Sequence, residues 1–191
     1  MKKLIGLFSY NYDFNENLTH WDTSNVTCMS QMFKEAYKFD SDISQWDTSS
    51  VTNMKDMFFE ARRFNGNISG WNVSNVTSMK GMFSFAKQFN CNISEWDTSN
   101  VQTMDSMFKH AMKFNADITQ WNVEKCFNMI DMFHFVRRFN QDISQWETTK
   151  LAYMKGMFLD AIDFQKDLSS WDLSKVHNIK QENAFQDNVF F

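Results

Sequence analysis

Seven tryptophans, Trp21, Trp46, Trp71, Trp96, Trp121, Trp146 and Trp171, follow one another at intervals of 25 residues, with no insertion or deletion between them. A period held that strictly means an array of one repeated unit, because unrelated elements in a globule have no reason to keep a fixed length. Read from its Trp, the unit is W-[DN]-[TV]-S-N-V-T-x-M-x-x-M-F-x-x-A-x-x-F-N-x-[DN]-I-S-x, and the stretch 96–120 is a nearly complete copy. A unit of this size cannot bury its apolar face alone. Successive units are therefore expected to stack and share one core, with the tryptophans forming a ladder through it.

Inside the unit, Met29, Met32, Phe33, Ala36 and Phe39 fall mostly at spacings of three and four, which predicts the apolar face of a short helix. Thr23, Ser24 and Asn25 upstream are residues that cap helices or make turns. Asn65-Gly66-Asn67 predicts a turn, and Ile68-Ser69 a short extended segment leading into the next Trp. The expected fold is an α/β repeat: about seven coils of short parallel strands and short helices in a right-handed solenoid, the hand following from the preference of parallel strand crossovers. One domain over 1–191 is expected, with an N-terminal cap and partial repeat at 1–20, repeats at 21–180 and a C-terminal cap at 181–191. The cap at the start rests on Phe14, Asn15, Asn17 and Leu18 in phase, preceded by the apolar Leu4, Ile5, Leu7 and Phe8. Glu182 and Asn183, which replace Met157 and Phe158 of the preceding unit, mark the other end, and Phe190-Phe191 is expected to plug it.

Repetition explains the composition, with Phe 21, Met 14 and Pro 0. A net charge of -4 predicts no broad attraction to nucleic acid or to an anionic membrane. Cys28, Cys91 and Cys126 are odd in number and sit at unrelated repeat positions, so neither a complete disulfide framework nor a zinc motif is expected. The first residues hold too short an apolar run for an export leader, and no stretch approaches the ~20 apolar residues of a membrane span.

The segment Met-Phe-x-x-Ala-x-x-Phe-Asn-x-Asp-Ile-Ser-x-Trp-Asp-Thr-Ser-Asn-Val-Thr-x-Met, recurring over about residues 14–180, resembles the BspA-type leucine-rich-repeat surface proteins, in the branch of Trp-containing 25-residue units abundant in mycoplasmas. The resemblance implies a leucine-rich-repeat-like solenoid and a cell-surface role in adhesion or host contact. The chain as given carries no leader or anchor for that location.

Three sets of residues are candidates for more than scaffolding. Asp42, Asn67, Asn92, Asp117, Asp142 and Asp167, beside an Asn column at Asn65, Asn90, Asn115 and Asn140, could gather calcium through oxygen ligands. The alternative, that they bond the backbone of adjacent coils, is favoured. Lys38, Arg62, Arg63, Lys87, Lys113, Arg137 and Arg138 occupy two adjacent repeat positions and form a basic stripe ending at Ile162-Asp163. It could meet a phosphate backbone, an acidic glycan or an acidic partner, but the favoured reading is structural, the cations stabilising the C-terminal dipole of each predicted helix. Phe59, Phe85, Met112, Phe135 and Leu159 are apolar at positions expected to face outward, an arrangement that marks an interface when the residues align.

No catalytic motif appears, and the four histidines, His20, His110, His134 and His177, share no repeat position with one another. The expected function is therefore non-enzymatic: an elongated repeat surface offered to a protein or glycan, with no cofactor, metal or nucleic acid. The alternative is a structural or assembly protein whose solenoid self-associates.

Overall fold

The computed structural model describes residues 2–177. The expected C-terminal cap, with Glu182, Asn183, Phe190 and Phe191, lies outside the described residues, as do the last residues of the expected repeat region. Successive units lie on one another, parallel and in register. Strand β1 (Lys2–Lys3) pairs in parallel with β2 (Val26–Cys28). Single parallel bridges then continue the column, Cys28 to Asn53, Ser78, Thr103, Asn128 and Tyr153.

The predicted short helix is absent: the described residues contain no helix at all. The stretch from Met29 to Phe39 is instead a run of tight turns, closed by the amides of Met32, Lys34, Ala36 and Phe39 on the carbonyls of Met29, Gln31, Phe33 and Ala36. Two residues per coil take a left-handed backbone. One column is Gly6, Gln31, Asp56, Gly81, Ser106, Asp131 and Gly156; the other is Tyr10, Glu35, Glu60, Phe85, His110, Phe135 and Asp160. Each is the third residue of a four-residue turn, where a type II turn requires positive φ.

The physical reason for turns over helix is where the amides go. A helix closes nearly all of them within itself. Here alternate amides are released to the neighbour: Met29, Gln31, Phe33 and Glu35 donate to the carbonyls of Asn53, Lys55, Met57 and Phe59 in the following coil. The same pattern holds from coil to coil, for instance Met104, Ser106, Phe108 and His110 onto Asn128, Ile130, Met132 and His134. Inward spacing of the apolar residues is the same in either conformation, so the core forms as expected although the element differs.

That core is a set of columns. Phe33 and Phe39 stack within one coil at 3.8 Å, and Phe33 meets Phe58 of the next at 5.6 Å. The pattern repeats to Phe158 and Phe164, which pair at 4.3 Å. Trp46 through Trp171 are buried, and Trp46 lies nearly coplanar with Trp71, with centroids 6.4 Å apart. Trp21 is only half-buried. Each indole from Trp46 onward donates to the Ile or Leu carbonyl that already receives the amide of the preceding Trp, as Trp96 Nε1 does to Ile68 at 3.2 Å. One carbonyl thus ties a coil to itself and to its successor.

Polar columns flank the core. The side-chain oxygens of Asn15, Asp40, Asn65, Asn90, Asn115 and Asn140 each accept the backbone amide one coil later, at 2.7–3.2 Å. Buried Thr23, Thr48, Thr98 and Thr148 donate their hydroxyls to a carbonyl of the next coil, while Val73 and Val123 fill the same position without a bond. The start of the chain lies in phase with the coils: Leu4, Leu7 and Phe8 stand where Met29, Met32 and Phe33 stand one coil later.

Two expectations follow. Trp96→Ala should cost about 3–5 kcal/mol in chemical denaturation. Trp96→Phe, which keeps most of the packing and loses one bond to a carbonyl that retains another donor, should cost about 0.5–1.5 kcal/mol from the hydrogen bond; a Phe variant as unstable as the Ala variant would show that the indole bond carries more than packing. At Gln31, whose φ is 60°, Gly should be near neutral because relieved strain offsets the entropy of the unfolded chain. Val, branched at Cβ, should lose at least about 1–2 kcal/mol there.

Candidate interaction face

Beyond Glu35 and Glu60, the second left-handed column becomes aromatic. Phe85, His110 and Phe135 stack face to face across three coils, at 4.4 Å and 4.6 Å with interplanar angles of 11° and 13°. Bulky residues are uncommon at positive φ, and holding them there is costly unless neighbours over-determine the position. Stacking supplies part of that support. Phe59 tilts onto Phe85 at 5.8 Å, and His134 lies beside Phe135 at 5.0 Å. All five rings are half-buried. Met112 and Leu159 are also half-buried, so neither stands out as a free apolar residue.

Sequence reasoning found Phe59, Phe85 and Phe135 but missed the histidine that joins two of them. His110 shares the repeat position of Phe85 and Phe135, and His134 shares that of Phe59. Comparing histidines with the phenylalanine columns, and not with one another, is the signal that finds them. Burial first, then the positive charges of His134, Lys109 and Lys87, push His110 below the usual imidazole range, with Asp131 opposing. Asp131 is engaged twice, by Lys109 Nζ at 2.6 Å and by His134 Nδ1 at 3.3 Å. The second contact lacks hydrogen-bond geometry and leaves Nδ1 buried without a hydrogen-bond partner.

The basic stripe runs along the same flank, and all seven of its members are exposed. With no helices in the described coils, the helix-dipole account of these cations falls away. Two members are committed within the chain: Lys38 pairs with Asp13 at 2.6 Å, and Arg62 pairs with Glu60 at 2.6 Å while lying over the Tyr37 ring at 4.0 Å. Arg63, Lys87, Lys113, Arg137 and Arg138 form no ion pair among the described residues.

Asp42, Asn67, Asn92, Asp117, Asp142 and Asp167 act locally, against the expectation that they bond adjacent coils. Each accepts the amide of the Ser or Thr two residues on, at 2.8–3.1 Å. In Asp42, Asp117 and Asp167 that amide, then the hydroxyl, holds the carboxyl below the ordinary Asp range. Their contribution to stability is present above that range and lost as pH falls through the lowered values. Bonding to adjacent coils belongs to the Asn65, Asn90, Asn115 and Asn140 column. Among the described residues no three acidic, His or Cys side chains converge as a metal site would require.

A second surface, on the face of the parallel bridges, escaped the sequence reading. Phe127 and Tyr153 are each 42% exposed there. Lys125 and Lys150 stand nearby, bonded to Asn100 at 2.7 Å and paired with Glu124 at 3.6 Å.

Register, columns and flank together define a protein of tandem stacked repeats with one continuous core. The chain belongs to the family described as Mycoplasma protein of unknown function, DUF285, whose model matches twice, over residues 2–100 and 86–190. No curated protein and no solved structure matches it. Among the described residues no helix is long and apolar enough to cross a membrane.

A neutral His110 suits its place between two phenyl rings, and protonation opposes it. Because its folded value is lowered, the associated stability is present above about pH 6.5 and lost as pH falls through the folded value. His110→Phe should remove that component, so that melting temperatures of the variant and the parent diverge below about pH 6.5. Parallel curves between pH 7 and 5 would refute the assignment to His110.

Proposed function

We propose that this chain is a non-catalytic binding module, a right-handed leucine-rich-repeat-like solenoid of the kind the BspA-type resemblance implies, presenting one flank of its stack to a partner. The observation that carries the reading is the coincidence of two features on that flank: an aromatic column held at strained backbone positions and a row of unpaired cations beside it. The turn imposes a left-handed backbone on every coil, so what is particular to this flank is that bulky rings, uncommon at positive φ, occupy three consecutive positions of the column. The reading is non-catalytic because the sequence carries no catalytic motif and its Ser and Asp residues recur as scaffold in coil after coil. A cell-surface role in adhesion accords with the resemblance.

A direct test is an array carrying both glycans and extracellular proteins, probed with the parent chain and with Phe85→Ser/Phe135→Ser. Saturable binding by the parent that falls about ten-fold or more in the variant, a loss of ~1.4 kcal/mol, supports the proposal. Absence of any saturable partner, with variant and parent alike, overturns it. Light scattering over a concentration series addresses the alternative of self-assembly: growth of the particle with concentration favours it, and a persistent monomer rejects it.

A further inference from the structure

We infer that the flank binds a linear anionic polysaccharide, running along the stack axis with about one anionic group per coil. The inference rests on the preceding proposal that the flank is the binding surface, and it names the class of partner.

Four consecutive coils supply the cations. Arg63, Lys87, Lys113 and the Arg137–Arg138 pair give every coil of the group at least one exposed cation without an ion pair among the described residues. The group is bounded on both sides. Lys38, one coil before its first member, is neutralised by Asp13, and Asp163 stands where Arg138 stood one coil earlier. With neighbouring chains about 4.8 Å apart in the stacking direction, the row advances roughly 14 Å over three steps. Each step is comparable to the advance per ring of a linear polysaccharide, so a segment of four charged rings spans the row and its sulfate or carboxylate groups come within reach of the long Lys and Arg side chains of every coil.

Other polyanions fit less well. An extended acidic peptide brings a side chain to the same face only every ~6.7 Å, and a helix every ~5–6 Å, so both run out of register within the row. Single-stranded nucleic acid binds by laying bases on aromatic faces. Here both faces of His110, and one face each of Phe85 and Phe135, are spent on one another, at 4.4 Å and 4.6 Å. The edges of such stacked rings are the positive side of the aromatic quadrupole, which reinforces the cations toward sulfate or carboxylate. The arginines add bidentate donors for the same oxyanions.

The test is calorimetric titration of the whole chain with heparin-derived oligosaccharides of two, four and six rings, with poly-glutamate and single-stranded DNA as competing probes. Affinity should rise from two rings to four and then level. The variant Lys113→Glu/Arg137→Glu/Arg138→Glu should weaken binding at least about ten-fold, with a shallower salt dependence. Arg137→Gln/Arg138→Gln provides a milder version should the triple variant melt early. Reversal on the bridge face, Lys125→Glu/Lys150→Glu, should change little. Equal loss from that reversal, or equal binding of single-stranded DNA, overturns the inference in favour of general charge attraction. Poly-glutamate bound more tightly than the saccharides, and still lost in the triple variant, overturns the polysaccharide alone and leaves the flank as the binding surface. If no probe responds to the triple variant, the inference and the choice of flank both fall.

Discussion

The structure depends on amides that leave their own coil. In each turn run, alternate N–H groups point to the coil that follows, and the remaining ones close the turns. The arrangement satisfies the donors of that stretch and keeps the inward spacing of the side chains, as a helix would, but it also bonds each coil to the next. The rest follows from it. Coils held by backbone at fixed register place Phe upon Phe, Trp upon Trp and Asn beneath amide. The bond from Trp96 to Ile68 is geometrically available only because the coil beneath has been brought into line. Turns also impose the left-handed residues, and one of those columns is where the aromatic stack of the surface sits.

How far the sequence revealed this depends on which signal each feature leaves. The period, the buried columns and the amide bonds of the Asn65 column were all legible, because each repeats one residue type at one position. The helix was not, and the reason is specific. Met29, Met32, Phe33 and Ala36 face inward equally well from a helix or from consecutive turns, so apolar spacing does not separate the two. The separating evidence lay in the polar positions: Gly6, Gly81 and Gly156, three of the five glycines, share one repeat position with two aspartates, Asp56 and Asp131. Glycine recurring inside a predicted helix is a mark of positive φ.

The surface was partly legible for the same reason. Phe85 and Phe135 stood out as apolar residues at outward positions, but His110 was weighed against other histidines and lost from view. The basic positions are legible in the sequence and all seven are exposed, while their account as helix-end stabilisation fails with the helix. Which of its members are spoken for needed coordinates: nothing in the sequence shows that Glu60 takes Arg62 and leaves Arg63 unpaired. The exposed pair Phe127 and Tyr153 was invisible to column reasoning, since both positions are polar in most other coils.

The direction of those outgoing amides makes the stack a polar object. Along the turn run each coil gives its donors to the following coil and its acceptors to the preceding one, while Thr52, Thr77, Gln102 and Phe127 send their amides the opposite way, and each set recurs at fixed repeat positions. Removing or duplicating a whole interior unit therefore rejoins surfaces that already match, whereas a single inserted residue shifts every bond between two coils. Repeat number can thus vary by gene-level slippage in steps of one unit without a new packing problem to solve, and with it the length of any row of side chains borne on the outside.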